Sequence, residues 1–152
     1  MLSAGYLKSM LTSALPDVFK SPESQILECD GFDAIIEILK TLRSVEFPLV
    51  ILEGRSSGQI KLVEGPLDVY TESLWIMAQF GRGESEADVY RDMYALSLRI
   101  LTRLLADASS GVEDVCNWDW QHISYMKRDG GPNARGFELV LTFKDNISLR
   151  DG

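Results

Sequence analysis

Gly136-Phe137-Glu138-Leu139-Val140-Leu141-Thr142-Phe143-Lys144 decides the fold. In an extended chain Phe137, Leu139, Leu141 and Phe143 share one face, and Glu138, Val140, Thr142 and Lys144 share the other. That is the period-2 pattern of a strand with one face in a core. A companion run at residues 117–128 precedes it. Between the two lies Asp129-Gly130-Gly131-Pro132-Asn133-Ala134-Arg135, whose glycines and proline mark a reversal. The pair therefore predicts an antiparallel hairpin over residues 117–146.

Working back from the hairpin, residues 86–108 carry Val89, Met93, Leu96, Ile100 and Leu104 on one line of a helix, widened by Tyr90, Tyr94, Leu101 and Leu105. Ser85 with Asp88 three residues on has the form of a capping box, and Gly111 ends the helix. Residues 68–80, with Leu74-Trp75-Ile76-Met77, predict a strand that is mainly buried on both faces near its end and closed by Gly81-Arg82-Gly83. Upstream, Leu49-Val50-Ile51-Leu52 is of strand length, and Gly54-Arg55-Ser56-Ser57-Gly58 reads as a turn into a strand over residues 59–63. Gly65-Pro66 breaks that strand. A first helix is expected over residues 32–44, with Phe32, Ile35, Ile36, Leu39 and Leu42 as its stripe and Asp30 as its N-cap. Residues 1–30 read as an irregular or partly helical arm. Leu7, Met10, Leu11 and Leu15 have helical spacing there, interrupted by Pro16 and Pro22.

No repeat or linker divides the chain. The expected fold is one α+β domain at residues 31–152, a mostly antiparallel sheet packed by two main helices, with the arm at residues 1–30. A chain of 152 residues and 17.0 kDa with 45% hydrophobic residues can bury a core without staples. The net charge of -8 and pI near 4.6 disfavour general binding to phosphate or anionic membrane surfaces. Cys29 and Cys116 have no metal-ligand spacing and read as mostly buried free thiols. The first residues lack the pattern of a signal peptide, and no apolar run reaches the ~20 residues that span a bilayer. A soluble, cytoplasmic protein is expected.

Catalytic chemistry has little foothold in these residues. The single histidine, His122, is expected to pack beside Trp120 on an aromatic strand, with Asp119 on the opposite face. It then lacks the positioned partner that a general base requires. The Gly81–Gly83 and Gly130-Gly131 pieces extend to no phosphate-binding fingerprint, and no serine occupies a nucleophile elbow. The sequence therefore predicts no enzyme, no catalytic residue, no cofactor and no metal.

Three features suit contact between proteins. Trp118 and Trp120, two residues apart, are either core residues or aromatic anchors of an interface. The loop with Arg128, Asp129, Asn133 and Arg135 either reaches a neighbouring subunit or forms a solvated turn. The arm, with Tyr6 and Leu7, drapes over a neighbour or packs on its own domain. These eight residues are the candidate subunit interface.

The order of elements resembles the tail terminator, or tail-completion, proteins of long-tailed bacteriophages and related tail-to-head joining proteins. The similarity covers residues 31–146: the helix 32–44, the strand 48–53, the extended 69–80 followed by 81–87, the helix 86–108 and the pair 123–129/136–143. The arm departs from the compact start usual in that family. The resemblance implies a structural virion protein, assembled in the host bacterial cytoplasm. It would form a homo-hexameric ring that caps the tail tube and joins it to the head. Its implied partners are other copies of itself, the tail tube protein and neck or connector proteins, with DNA passing through the ring. Two alternatives stand beside it: a neck adaptor or stopper, and a small acidic cytoplasmic adaptor or inhibitor that binds a basic protein.

Overall fold

The computed structural model, which describes residues 2–62, 65–81 and 83–147, orders the chain as α1 (Ala4–Ala14), α2 (Pro22–Gln25), β1 (Ile26–Cys29), α3 (Phe32–Thr41), β2 (Leu49–Lys61), β3 (Leu67–Gln79), α4 (Glu86–Ser109), β4 (Trp118–Asp129) and β5 (Ala134–Asn146). The strands form one sheet in the order β1-β2-β3-β5-β4. β1 runs parallel to β2, and every other neighbouring pair is antiparallel. A parallel pair needs a crossover, and α3 supplies it between β1 and β2. The expected α+β domain with a mostly antiparallel sheet and two main helices is the fold observed.

Helices cover both faces of the sheet. α1 and α4 pack on Val50, Leu52, Tyr70, Leu74, Ile76, Leu139, Leu141 and Phe143. α3 lays Ile35 and Leu39 against Leu49, Ile51, Trp75 and Met77 on the other face. Two helical layers explain why residues 49–52 and 74–77 are apolar without alternation: both faces of those strand segments leave water. In β5, Phe137, Leu139, Leu141 and Phe143 are all buried towards α4, as their alternation predicts. Ser85 Oγ accepts a hydrogen bond from Asp88 N at 3.4 Å, so the N-cap of α4 is as read from the sequence.

Several expectations need correction. The Gly54–Gly58 stretch is no turn. β2 continues through it, and the register against β3 shifts between Glu53 and Ser57 as a bulge. The first hairpin is therefore β2–β3, reversing just before β3 near Gly65-Pro66. Small residues that read as a turn signal serve here to let a long strand bend. Asp30 does not cap α3. Gly31 holds the N-cap position without a side-chain bond, and the Asp30 carboxylate lies over Gly54. α3 ends at Thr41, with Leu42 in the left-handed conformation (φ 53°). Cys29 is half-buried, whereas Cys116 is exposed rather than buried; both are free.

Residues 2–30 are tied into the domain rather than extended from it. Ser3 caps α1, accepting from Tyr6 N at 3.1 Å, and Leu7, Met10, Leu11, Leu15 and Phe19 are core residues. The spacing of Leu7, Met10 and Leu11 gives the helix its buried face. β1 then joins the sheet edge. Val63, read as the end of a strand, and Arg82, read in a turn, lie outside the described residues, as do Met1 and residues 148–152.

Glu72 anchors this N-terminal segment and gives a pH-dependent prediction. The residue is 2% exposed, and Oε2 accepts from Leu2 N at 3.0 Å. Burial pushes its pKa above the usual carboxylate range, although the Leu2 hydrogen bond and Arg55 act in the opposite direction. A carboxyl whose folded pKa is raised binds its proton more tightly in the native state. Its stabilising contribution is fully present below the unfolded pKa and is lost as pH rises through the folded value. Glu72→Gln keeps an acceptor for Leu2 N without a buried charge. The variant should melt above the parent at pH 7.5, and the gap should close near pH 4. A lower melting temperature for Glu72→Gln at pH 7.5 would show that the charged hydrogen bond outweighs the cost of burial.

Candidate interaction surface

β4 is the outermost strand on its side of the sheet, and residues 120–127 are all exposed. It nevertheless carries Trp120, Ile123, Tyr125 and Met126, with Trp120 50% and Tyr125 57% exposed. Sheet edges are normally blunted by charge, proline or brevity. Over Ile123-Ser124-Tyr125-Met126 this edge has none of these.

A bulge shapes the start of the strand. Trp118 pairs with Phe143 and Ile123 with Leu141, so five positions along β4 span two along β5. The extra residues bring Trp118, Trp120 and Ile123 together beside α4. With Leu98, Leu101, Thr102 and Leu105 they line an open apolar groove of about 310 Å³. Further along, Tyr94 meets Tyr125 at 5.7 Å and Phe137 at 5.9 Å between ring centroids, and Lys127 Nζ lies 4.7 Å from the centre of the Tyr90 ring. The outer flank of α4 and the edge strand thus form one aromatic and aliphatic surface, with Leu98 47% exposed and Leu105 39% exposed.

The same bulge changes the reading of His122. Asp119 is not on the opposite face: its Oδ2 lies 3.0 Å from His122 Nδ1 and 3.1 Å from Lys144 Nζ. Lys144, then His122, hold the Asp119 carboxyl below its usual range. His122 is exposed and pairs with Asp119, rather than being a half-buried packing residue. Nothing in residues 118–122 signals a bulge, because it uses no glycine or proline.

The candidate interface residues divide into three groups. Trp120 stands in the open groove. Leu7 and Trp118 belong to the core of their own domain, and Tyr6 is half-buried, donating from Oη to Asp107 Oδ2 at 2.6 Å. Burial, then that carboxylate, raises the Tyr6 pKa strongly.

The hairpin loop is folded back. Arg135 donates to the carbonyls of Gly131 and Ala134, pairs with Asp129 at 3.0 Å and Glu86 at 3.2 Å, and lies over the Phe80 ring. Gly131 turns the loop with φ 96°, and Asn133 O accepts from Phe80 N at 2.8 Å. Arg128 pairs with the buried Glu138 through Nε at 2.8 Å and Nη2 at 2.6 Å, with its guanidinium 5.0 Å from the Trp75 ring centre. These arginines are engaged within their own subunit. Leu105 was missed as a surface residue, because its helical spacing reads as a widened core stripe; Leu101 is half-buried against the core, and Leu98 was not singled out.

Among the described residues, no three His, Cys, Asp or Glu side chains form a group that could hold a metal ion. No described helix is long and apolar enough to cross a membrane. No protein-family model matches the chain, and no curated protein matches it.

Proposed function

We propose that this protein is a structural assembly component that self-associates into a closed ring, most simply the hexameric ring that caps a phage tail tube and joins it to the head. The observation that carries self-association is the exposed apolar edge strand β4 with the adjoining groove against α4. A long unpaired edge is a template for another chain, and contiguous exposed apolar surface marks an interface. The assignment to the tail rests on the element order, in which a helix, a strand pair, a long helix and a terminal hairpin follow one another as in tail-completion proteins. The acidic composition is compatible with a lumen through which DNA passes without adhering.

Light scattering of the protein with and without tail tube protein tests the ring, and imaging of assembled tails tests its place. The expected results are a six-copy species, formed alone or on the tube, and density at the head-proximal end of the tube. Density at the portal would move the reading to a neck adaptor. A chain that stays monomeric with the tube present, and binds a basic protein instead, would replace it with the adaptor reading.

A further inference from the structure

We infer that β4 of one copy pairs antiparallel with β1 of the next, so that the ring is closed by a sheet continuous through its subunits. This rests on the self-association proposed above and specifies how it occurs. β1 and β4 are the two edges of one sheet, and the strand directions place them antiparallel to each other. A rotation about an axis along the strands preserves those directions, so β4 meets the neighbour's β1 antiparallel. Such a head-to-tail contact uses both edges of every copy and closes into a ring where the rotation between copies closes. Pairing β4 with β4 would stop at two copies.

The registers give the match. Across the sheet, Lys127 is level with Ile26, Met126 with Leu27, Tyr125 with Glu28 and Ser124 with Cys29. Level residues share a face. Ile26 and Phe137, the partner of Lys127, pack towards α1 and α4, while Leu27 packs towards α3. A level junction therefore sets Met126 against Leu27 on the α3 face. On the other face Lys127 stands diagonal to the exposed Glu28, and Tyr125 stands opposite it. Charge agrees: the exposed Glu28 stands at the β1 edge and the exposed Lys127 at the β4 edge. Opposite-charge cross-strand neighbours stabilise a pair and like charges oppose it. The neighbour's α1, which packs on the same face as α4, is brought beside the groove.

Cys29 supplies the test. Ser124→Cys, in a chain also carrying Cys116→Ser, sets a second thiol opposite Cys29 of the next copy. Within one chain the two positions are four strand spacings apart, roughly 19 Å, beyond the ~7 Å Cα reach of a disulfide. Mild oxidation should give a ladder of covalent oligomers on a non-reducing gel, lost on reduction and lost when Cys29→Ser is added. Met126→Cys on the same face covers a slip of two residues. If rings form by light scattering yet neither variant cross-links, the strand pairing is overturned while self-association stands. A disulfide-linked dimer that survives Cys29→Ser would indicate β4–β4 pairing and overturn it as well. If no association occurs at any concentration or with tube protein, the ring reading itself fails.

Discussion

Gly136→Ala should unfold a large part of the population at temperatures the parent tolerates. Gly136 lies in β5, between Met77 of β3 and Arg128 of β4, and is buried. A Cβ built there overlaps the Ile76 carbonyl oxygen and lies 2.8 Å from Met77 Cα and 2.9 Å from Ile76 C. These are backbone atoms of a central strand, so no rotamer change relieves the clash. The strands must separate, which weakens ladder bonds on both sides of β5. Overpacking in a core costs typically 1–3 kcal/mol, and a backbone clash belongs at or beyond the top of that range, about 3 kcal/mol or more. For a chain of this size that is roughly 6–12 °C in melting temperature. Urea and thermal denaturation measure it, and an unchanged midpoint would mean that β3 and β5 are further apart than the register requires.

The same residue shows how the fold was legible. The alternation at Phe137, Leu139, Leu141 and Phe143 is written in side chains that must leave water, so the strand, its core face and the hairpin could be read. The α4 stripe was legible for the same reason. What failed depends on backbone events that composition encodes only weakly. Gly54 and Gly58 signal a departure from regular structure without saying whether the chain reverses or bulges, and the pairing with β3 decides for the bulge. The bulge at 118–123 has no compositional signal, and with it went the true placement of His122 beside Asp119. The surface was half legible. Trp120 was read as a candidate anchor and stands in the groove. The groove's other wall is made of α4 leucines, of which helical spacing assigns Leu101 and Leu105 to a core stripe. α4 sits near the sheet's β4 edge, where a stripe wider than the sheet beneath it leaves Leu105 in the open, with the exposed Leu98 beside it.

That position at the edge separates two leucines on one helix. Leu96 is 6% exposed and packs in the core between α4 and the sheet. Leu96→Asp would place a carboxylate in an apolar core. The cost should be about 4 kcal/mol or more, a large share of the 5–15 kcal/mol that holds a typical domain together. Leu98, two residues on and turned away, lines the groove and is already half in water. Leu98→Asp should change the stability of the isolated chain by no more than ~0.5 kcal/mol. Its effect should appear in association instead, because a charge at the centre of an apolar contact must be desolvated when a partner docks. The expected pair of results is a collapsed melting transition for Leu96→Asp, and for Leu98→Asp a parent-like transition with at least tenfold weaker self-association by sedimentation or light scattering. If the two variants melted alike, the buried face of α4 would be misassigned. If Leu98→Asp assembled as well as the parent, the groove would lie outside the contact and the interface would have to be carried by the strand edge alone.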